Sequence, residues 1–215
     1  LLSSSPGTTT ANANHFSIFE RVCHTVAYAH GEGYIHRDLK PENIVIGKHG
    51  KVFVTDWGLA KKIGGDEARP AGAETIAGTI KGTPLYMSPE QAEGDTEHID
   101  YRTDVFALGV LLYRLLTGTL PFEGDDIYRI IIKVRKAEVE EPLKRNPAAN
   151  KVLSAVCMKA LSKDPELRYP TASEFADDVS RALVGRRTTA YSPTLGERIV
   201  SWCALHPKTV TAVVT

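Results

Sequence analysis

The stretch His36-Arg37-Asp38-Leu39-Lys40-Pro41-Glu42-Asn43, followed by Ile44-Val45-Ile46, Lys48-His49-Gly50, Lys51-Val52-Phe53-Val54-Thr55 and Asp56-Trp57-Gly58, decides the fold. Residues 36–43 form a polar run that reads as a loop. Three β-branched residues, Ile44, Val45 and Ile46, read as a short strand. Lys48-His49-Gly50 turns the chain, and 51–55 return it as a second strand. The reading is therefore a β-hairpin with one polar segment leading in and another leading out.

Working outward, apolar positions Phe16, Phe19, Val22, Cys23, Val26, Ala27 and Ala29 recur at helical spacing before the loop. Gly31 and Gly33 end that helix, and residues 1–13 read as a loop remnant rich in Ser, Thr and Asn. After the hairpin, 58–83 is rich in glycine and small residues and reads as one long loop, the kind that is usually functional. Residues 104–117 are apolar nearly all round, which predicts a buried central helix capped by Gly118. Further helices are expected at about 125–137, 150–162 and 171–184, the last with Thr171 and Glu174 at cap spacing. Past Gly185 the composition becomes basic and polar, so the core domain is expected to span 14–184 and the tail 185–215.

The 215 residues suffice for one domain with a core. Lys+Arg and Asp+Glu both number 26, so no global charge bias points to a nucleic-acid partner. The three cysteines, Cys23, Cys157 and Cys203, have neither metal-ligand spacing nor a disulfide framework; Cys23 and Cys157 read as free helical thiols in a reducing compartment. No secretory signal opens the chain and no initiator Met is present, so a longer parent protein is expected.

Three motifs stand in order: the 36–43 run, Asp56-Trp57-Gly58 thirteen residues after Asn43, and Gly82-Thr83-Pro84-Leu85-Tyr86-Met87-Ser88-Pro89-Glu90. They resemble the catalytic loop, the metal-binding segment and the end of the activation segment of bacterial, Hanks-type serine/threonine protein kinases. Asp104 with Gly109, and Arg168, also match that pattern. The resemblance covers about 14–184 and implies a protein-kinase-like C-terminal lobe, mainly α with a short β-hairpin. It implies transfer of the ATP γ-phosphoryl group to Ser or Thr of a protein substrate, with ATP and Mg²⁺ as cofactors.

By the same resemblance, Asp38, Lys40 and Asn43 are catalytic: Asp38 takes or orients the hydroxyl proton, and Lys40 stabilises the transferring phosphoryl. Asn43 and Asp56 are the metal ligands, and Lys40, Asn43, Val45 and Asp56 contact the nucleotide, Val45 as part of the adenine floor. Arg37 marks control by loop phosphorylation, with Thr75 and Thr79 as acceptors or as ordinary loop threonines. Thr83 would bond the catalytic Asp38, Glu90 and Arg168 would form a buried ion pair, and Asp104 would accept backbone N–H groups of the catalytic loop.

Trp57 replaces the family's usual Phe, and its indole N–H needs a partner if buried. With Leu59-Ala60-Lys61, and Arg21-Val22-Cys23 before Ala29-His30, it resembles a subgroup of bacterial membrane-anchored kinases, whose tail Trp202 and His206-Pro207 fit; this implies a cytoplasmic kinase domain and an inner-membrane anchor whose helix starts at 210–214. Against that stands a solvated tail. Ahead of the first helix no G-x-G-x-x-G loop and no strand lysine occur, so this chain alone is expected to be inactive. A pseudokinase-like binding or scaffolding module is the alternative. Intact Asp38, Lys40, Asn43 and Asp56 weigh against it.

Overall fold

The computed structural model describes residues 9–63, 84–95 and 97–193, with side chains from residue 14. Helix α1 (Thr9–Gly31) opens it and buries Phe19, Val22, Cys23 and Val26, the i, i+3, i+4, i+7 face that the periodicity marks. It starts at Thr9, inside the stretch expected to be a loop through residue 13. The physical reason is that the last helix breakers are Pro6 and Gly7, so nothing stops the helix from extending back to Thr9.

Strand β1 (Tyr34–Ile35) follows, then β2 (Ile44–Ile46) and β3 (Val52–Val54), which pair antiparallel with Val45 opposite Phe53. The Lys48–Gly50 turn is pinned to α1 where Arg21 Nη1 donates to Gly50 O at 2.7 Å. Residues 57–63 are not loop: a 3-10 turn at Trp57–Leu59 leads into β4 (Lys61–Lys62), which pairs with β1. Two-residue strands carry too little pattern to be read locally, and this pairing joins segments far apart in sequence.

Helix α2 (Pro89–Glu93) carries a full capping box between Ser88 and Gln91. Helix α3 (Tyr101–Thr117) is capped by Asp100 and stopped by Gly118, and its residues 103–113 are all buried. Against it pack α5 (Pro142–Arg145), α6 (Lys151–Ala160) and α7 (Ala172–Leu183), while α4 (Ile127–Lys136) packs on α2 and on the Pro84–Tyr86 turn. The expected helices lie within two residues of α4, α6 and α7, whereas α2 and α5 are too short for a periodic signal. The class is mainly α with short β pairs, as the motifs imply.

Contact between α3 and α6 depends on Gly109. A Cβ there would lie 3.0 Å from Ala160 Cβ and 3.1 Å from Leu161 side-chain atoms. Cys157 donates its S–H to Gly109 O across the same contact. Cys23 and Cys157 are buried free thiols, and burial pushes both well above the ordinary thiol range, so they are inert packing groups.

Two buried carboxylates lock the periphery. Glu90 and Arg168 form a bidentate pair at 2.8 Å for both bonds. The remaining Arg168 N–H groups donate to Ser162 O, Arg102 O and Lys163 O, and Phe106 lies 4.9 Å below the guanidinium. Asp178 on α7 accepts from Tyr169 Oη at 2.9 Å, Thr189 N at 2.8 Å and Thr189 Oγ1 at 2.6 Å. Lys159 donates to the same Thr189 hydroxyl. The chain past Gly185 therefore turns back onto the body through residue 190, where the sequence had the core ending at 184. A buried carboxylate needs donors, and the segment after α7 supplies them. Cys203, Trp202, His206, Pro207 and residues 210–214 lie outside the described residues.

Gly109→Val should lower stability by about 1–3 kcal/mol, because helix α6 must move to admit the side chain. A reduced urea midpoint at unchanged slope would show it. Acid stability follows from the carboxylates. Burial alone would raise Glu90 above its ordinary 4.5, but the Arg168 hydrogen bonds and charge leave it lowered. Burial would likewise raise Asp178 above 3.8, and Thr189 brings it below. A depressed folded pKa gives stability present above the unfolded value and lost as pH falls through the folded one. Unfolding free energy should thus decline below about pH 4.5, and Glu90→Gln or Asp178→Asn should flatten that decline.

Candidate active site

The polar loop is shaped from beneath by Asp104. Its Oδ2 accepts His36 N at 2.8 Å, and its Oδ1 accepts Arg37 N at 2.8 Å. The expected role of Asp104 as acceptor of catalytic-loop N–H groups is thus present in the geometry. Arg37 has φ 67°, a left-handed backbone that a bulky residue adopts only under outside constraint. Gln91 Nε2 donates to Arg37 O at 2.7 Å, so helix α2 holds the same residue from the other side. The Arg37 side chain reaches Leu59 O through Nε.

Above this bend three predicted residues come together. Lys40 Nζ lies 2.7 Å from Asp38 Oδ2, both side chains 18% exposed. Buried Asn43 donates through Nδ2 to Asp38 O at 2.8 Å and Asp38 Oδ2 at 3.2 Å. One lysine and one amide therefore fix a carboxylate that is only partly buried.

His36 supplies the wall. Its Nε2 pairs with Thr55 O, which can only accept, so Nε2 carries the proton. Its Nδ1 then accepts from Asp38 N. Trp57 packs on the His36 ring at 4.6 Å, and its indole N–H donates to Val54 O at 2.9 Å, which supplies the partner that the Phe-to-Trp change demands.

The hairpin continues its register beyond the strands: Thr55 N donates to Asn43 O at 2.8 Å. Asp56 follows at once, exposed, with left-handed φ 62°. Asn43 and Asp56 are therefore delivered to the same end of one short ladder. Val45 is 48% exposed and its cross-strand neighbour Phe53 50% exposed, so the two form an open apolar face rather than core. Phe53 was missed from the sequence, although the period of two and the register with Val45 point to it.

His30 was also missed. Its Nε2 lies 2.9 Å from Asp104 Oδ2, the third group on that carboxylate, and only the tertiary contact between α1 and α3 reveals it. Thr75, Thr79 and Thr83 lie outside the described residues.

Among the described residues no group of three or more His, Cys, Asp or Glu could hold a metal. Besides Asp38, which Lys40 and Asn43 hold, the oxygen donors at the loop are the amide of Asn43 and the carboxylate of Asp56.

The sequence profile of the protein kinase domain matches residues 4–179. The serine/threonine-protein kinase PknB of Mycolicibacterium smegmatis is 38% identical over 173 residues, covering 80% of this chain and 27% of that protein. PknB of Mycobacterium tuberculosis strain H37Rv is 40% identical over 159 residues, 74% of this chain and 24% of that protein. PknD of Protochlamydia amoebophila is 37% identical over 182 residues, 79% of this chain and 18% of that protein. The chain thus spans 18–27% of the length of these curated relatives. On this match, and on the catalytic-loop geometry, the chain belongs to the protein kinase domain family.

Proposed function

We propose that the gene product containing this chain is a serine/threonine protein kinase, moving the γ-phosphoryl group of ATP to a Ser or Thr hydroxyl of a protein. The observation that carries it is the Asp38–Lys40–Asn43 cluster held on the bend that Asp104 imposes. Phosphoryl transfer needs positioning and charge neutralisation more than covalent chemistry, and this cluster supplies both. Asp38 accepts the proton of the substrate hydroxyl, with Lys40 and Asn43 holding its carboxylate in one orientation. Lys40 lies where its charge can also serve the migrating phosphoryl group.

A magnesium ion bound with ATP would neutralise charge on the phosphates. The donor set fits such an ion. Asn43 turns its amide N–H groups to Asp38, which keeps its carbonyl oxygen for another partner, and Asp56 offers an exposed carboxylate. One or two protein oxygens with water and phosphate completing the shell is the usual arrangement for Mg²⁺. Val45, with Phe53 beside it, is the apolar floor proposed for the adenine. A scaffold without transfer is the less favoured reading, because no member of the polar cluster is replaced.

Regulation through Arg37 and phosphorylation of Thr75 or Thr79, and a membrane anchor following Trp202 and His206-Pro207, belong to the same proposal and rest on sequence. No helix among the described residues is long and apolar enough to cross a membrane.

Asp38→Asn in the full gene product should lower phosphate transfer to a protein substrate by about 10²–10⁴-fold at unchanged folding. Equal transfer by both forms would refute the assignment. The purified 215-residue chain, whose residues before α1 hold no glycine-rich loop, should show no Asp38-dependent transfer from labelled ATP.

A further inference from the structure

Helix α7 runs into a bend that is exposed at every residue of 183–187. Gly185, at φ 70°, turns the chain back, and Asp178 then holds the returning strand of chain through Thr189 N, Thr189 Oγ1 and Ala190 N. The bend is thus tethered at both ends. Val184 is 68% exposed and Leu183 37%, whereas Val179 and Ala182 just before them are buried.

Arginines flank these two aliphatic side chains. Residues 181–187 hold Arg181, Arg186 and Arg187 and no acid, in a chain whose formal charge sums to zero. Arg186 N donates to Arg181 O at 2.7 Å, so the two residues are neighbours. Arg181 reaches Asp178 only at 3.8 Å, and that carboxylate is already satisfied by Tyr169 and Thr189. Among the described residues the side chains of Arg186 and Arg187 have no hydrogen-bond or ion-pair partner. Lys159 on Thr189 and Lys151 over Tyr191 add positive charge beside the same segment. The exposed acid nearest along α7 is Asp177, one turn before Arg181.

Exposed aliphatic groups ringed by cations match a surface that is apolar below and anionic above, which is the headgroup layer of an anionic bilayer. Arginine stems can lie against the acyl boundary while the guanidinium groups meet phosphate. The path of the chain favours lipid over a protein partner. Residues 194–209 separate Pro193 from the apolar stretch at 210–214, at most about 60 Å of extended chain, so both can reach one membrane.

We propose that the bend at 183–187 is a membrane-docking surface. Leu183 and Val184 enter the headgroup layer, and Arg181, Arg186 and Arg187 bind its phosphates. The contact is made by the folded body, beyond the anchor inferred from the tail, and requires neither that anchor nor phosphoryl transfer.

The test sediments the purified 215-residue chain with phosphatidylcholine vesicles, with and without phosphatidylglycerol. Binding should favour the anionic vesicles. Arg186→Gln combined with Arg187→Gln should weaken it by about 25-fold, about fivefold for each arginine. Val184→Gln should weaken it severalfold and keep the preference for anionic lipid. Lys48→Gln combined with Lys51→Gln removes the same charge at the hairpin turn and should bind as wild type does; an equal loss there would reduce the attraction to net charge and overturn the surface. An absent anionic preference would overturn it too, as would binding unchanged by the arginine pair, which would assign the contact to the tail. Arginine-dependent binding to polyglutamate without binding to vesicles would make the partner an acidic protein and overturn the lipid assignment. Matching far-ultraviolet circular dichroism across the variants separates lost docking from lost folding.

Discussion

The carboxylate of Asp104 is the constraint on which the site depends. It sits 1% exposed in the first turn of α3, where the helix N-terminus favours negative charge. Its two oxygens meet His36 N, Arg37 N and His30 Nε2, so the buried charge is paid for entirely by hydrogen bonds. Because two of those donors are consecutive backbone amides, the bend of the loop and the left-handed backbone of Arg37 are set by a side chain some seventy residues away. The positions of Asp38, Lys40 and Asn43 follow from that bend.

Other buried polar groups repeat the arrangement at increasing distance from the site. Gln91 belongs to the capping box of α2 and also holds Arg37 O, so a helix cap reports directly to the catalytic loop. Glu90, one residue before it, is held by Arg168 and Thr103. Asp178 ties the chain after α7 to Tyr169 and, through Thr189, to Lys159. Removing Arg168 would cost about 3–5 kcal/mol, since Glu90 would remain as a lone buried charge. Together they tie the helices to one another and to the catalytic loop.

Much of this was legible from residues alone. The hairpin of Ile44–Ile46 and Val52–Val54, the buried helix around 104–117 and the three amphipathic helices after it carry strong periodic signals. The ordered motifs placed Asp38, Lys40, Asn43 and Asp56 near one another because the hairpin folds its flanks together. Less visible were β1 and β4, whose two-residue pairing depends on a contact distant in sequence. The same holds for the start of α1 at Thr9 and for the return of residues 185–190 to α7, where Asp178 acts on a segment that composition alone marks as tail.

Sequence by itself therefore determined the class of fold, the order of its long helices and the identity of the polar cluster, because period, breakers and motif spacing are local properties. Tertiary structure alone decided which groups face one another. His30 on Asp104, Phe53 beside Val45, and Arg114 bound to Tyr86 without a carboxylate are invisible in one dimension. The physical reason is that burial and charge pairing are made by segments brought together from across the chain. The polarity of a side chain is written in the sequence, while the partner that satisfies or leaves it unsatisfied is supplied by the fold.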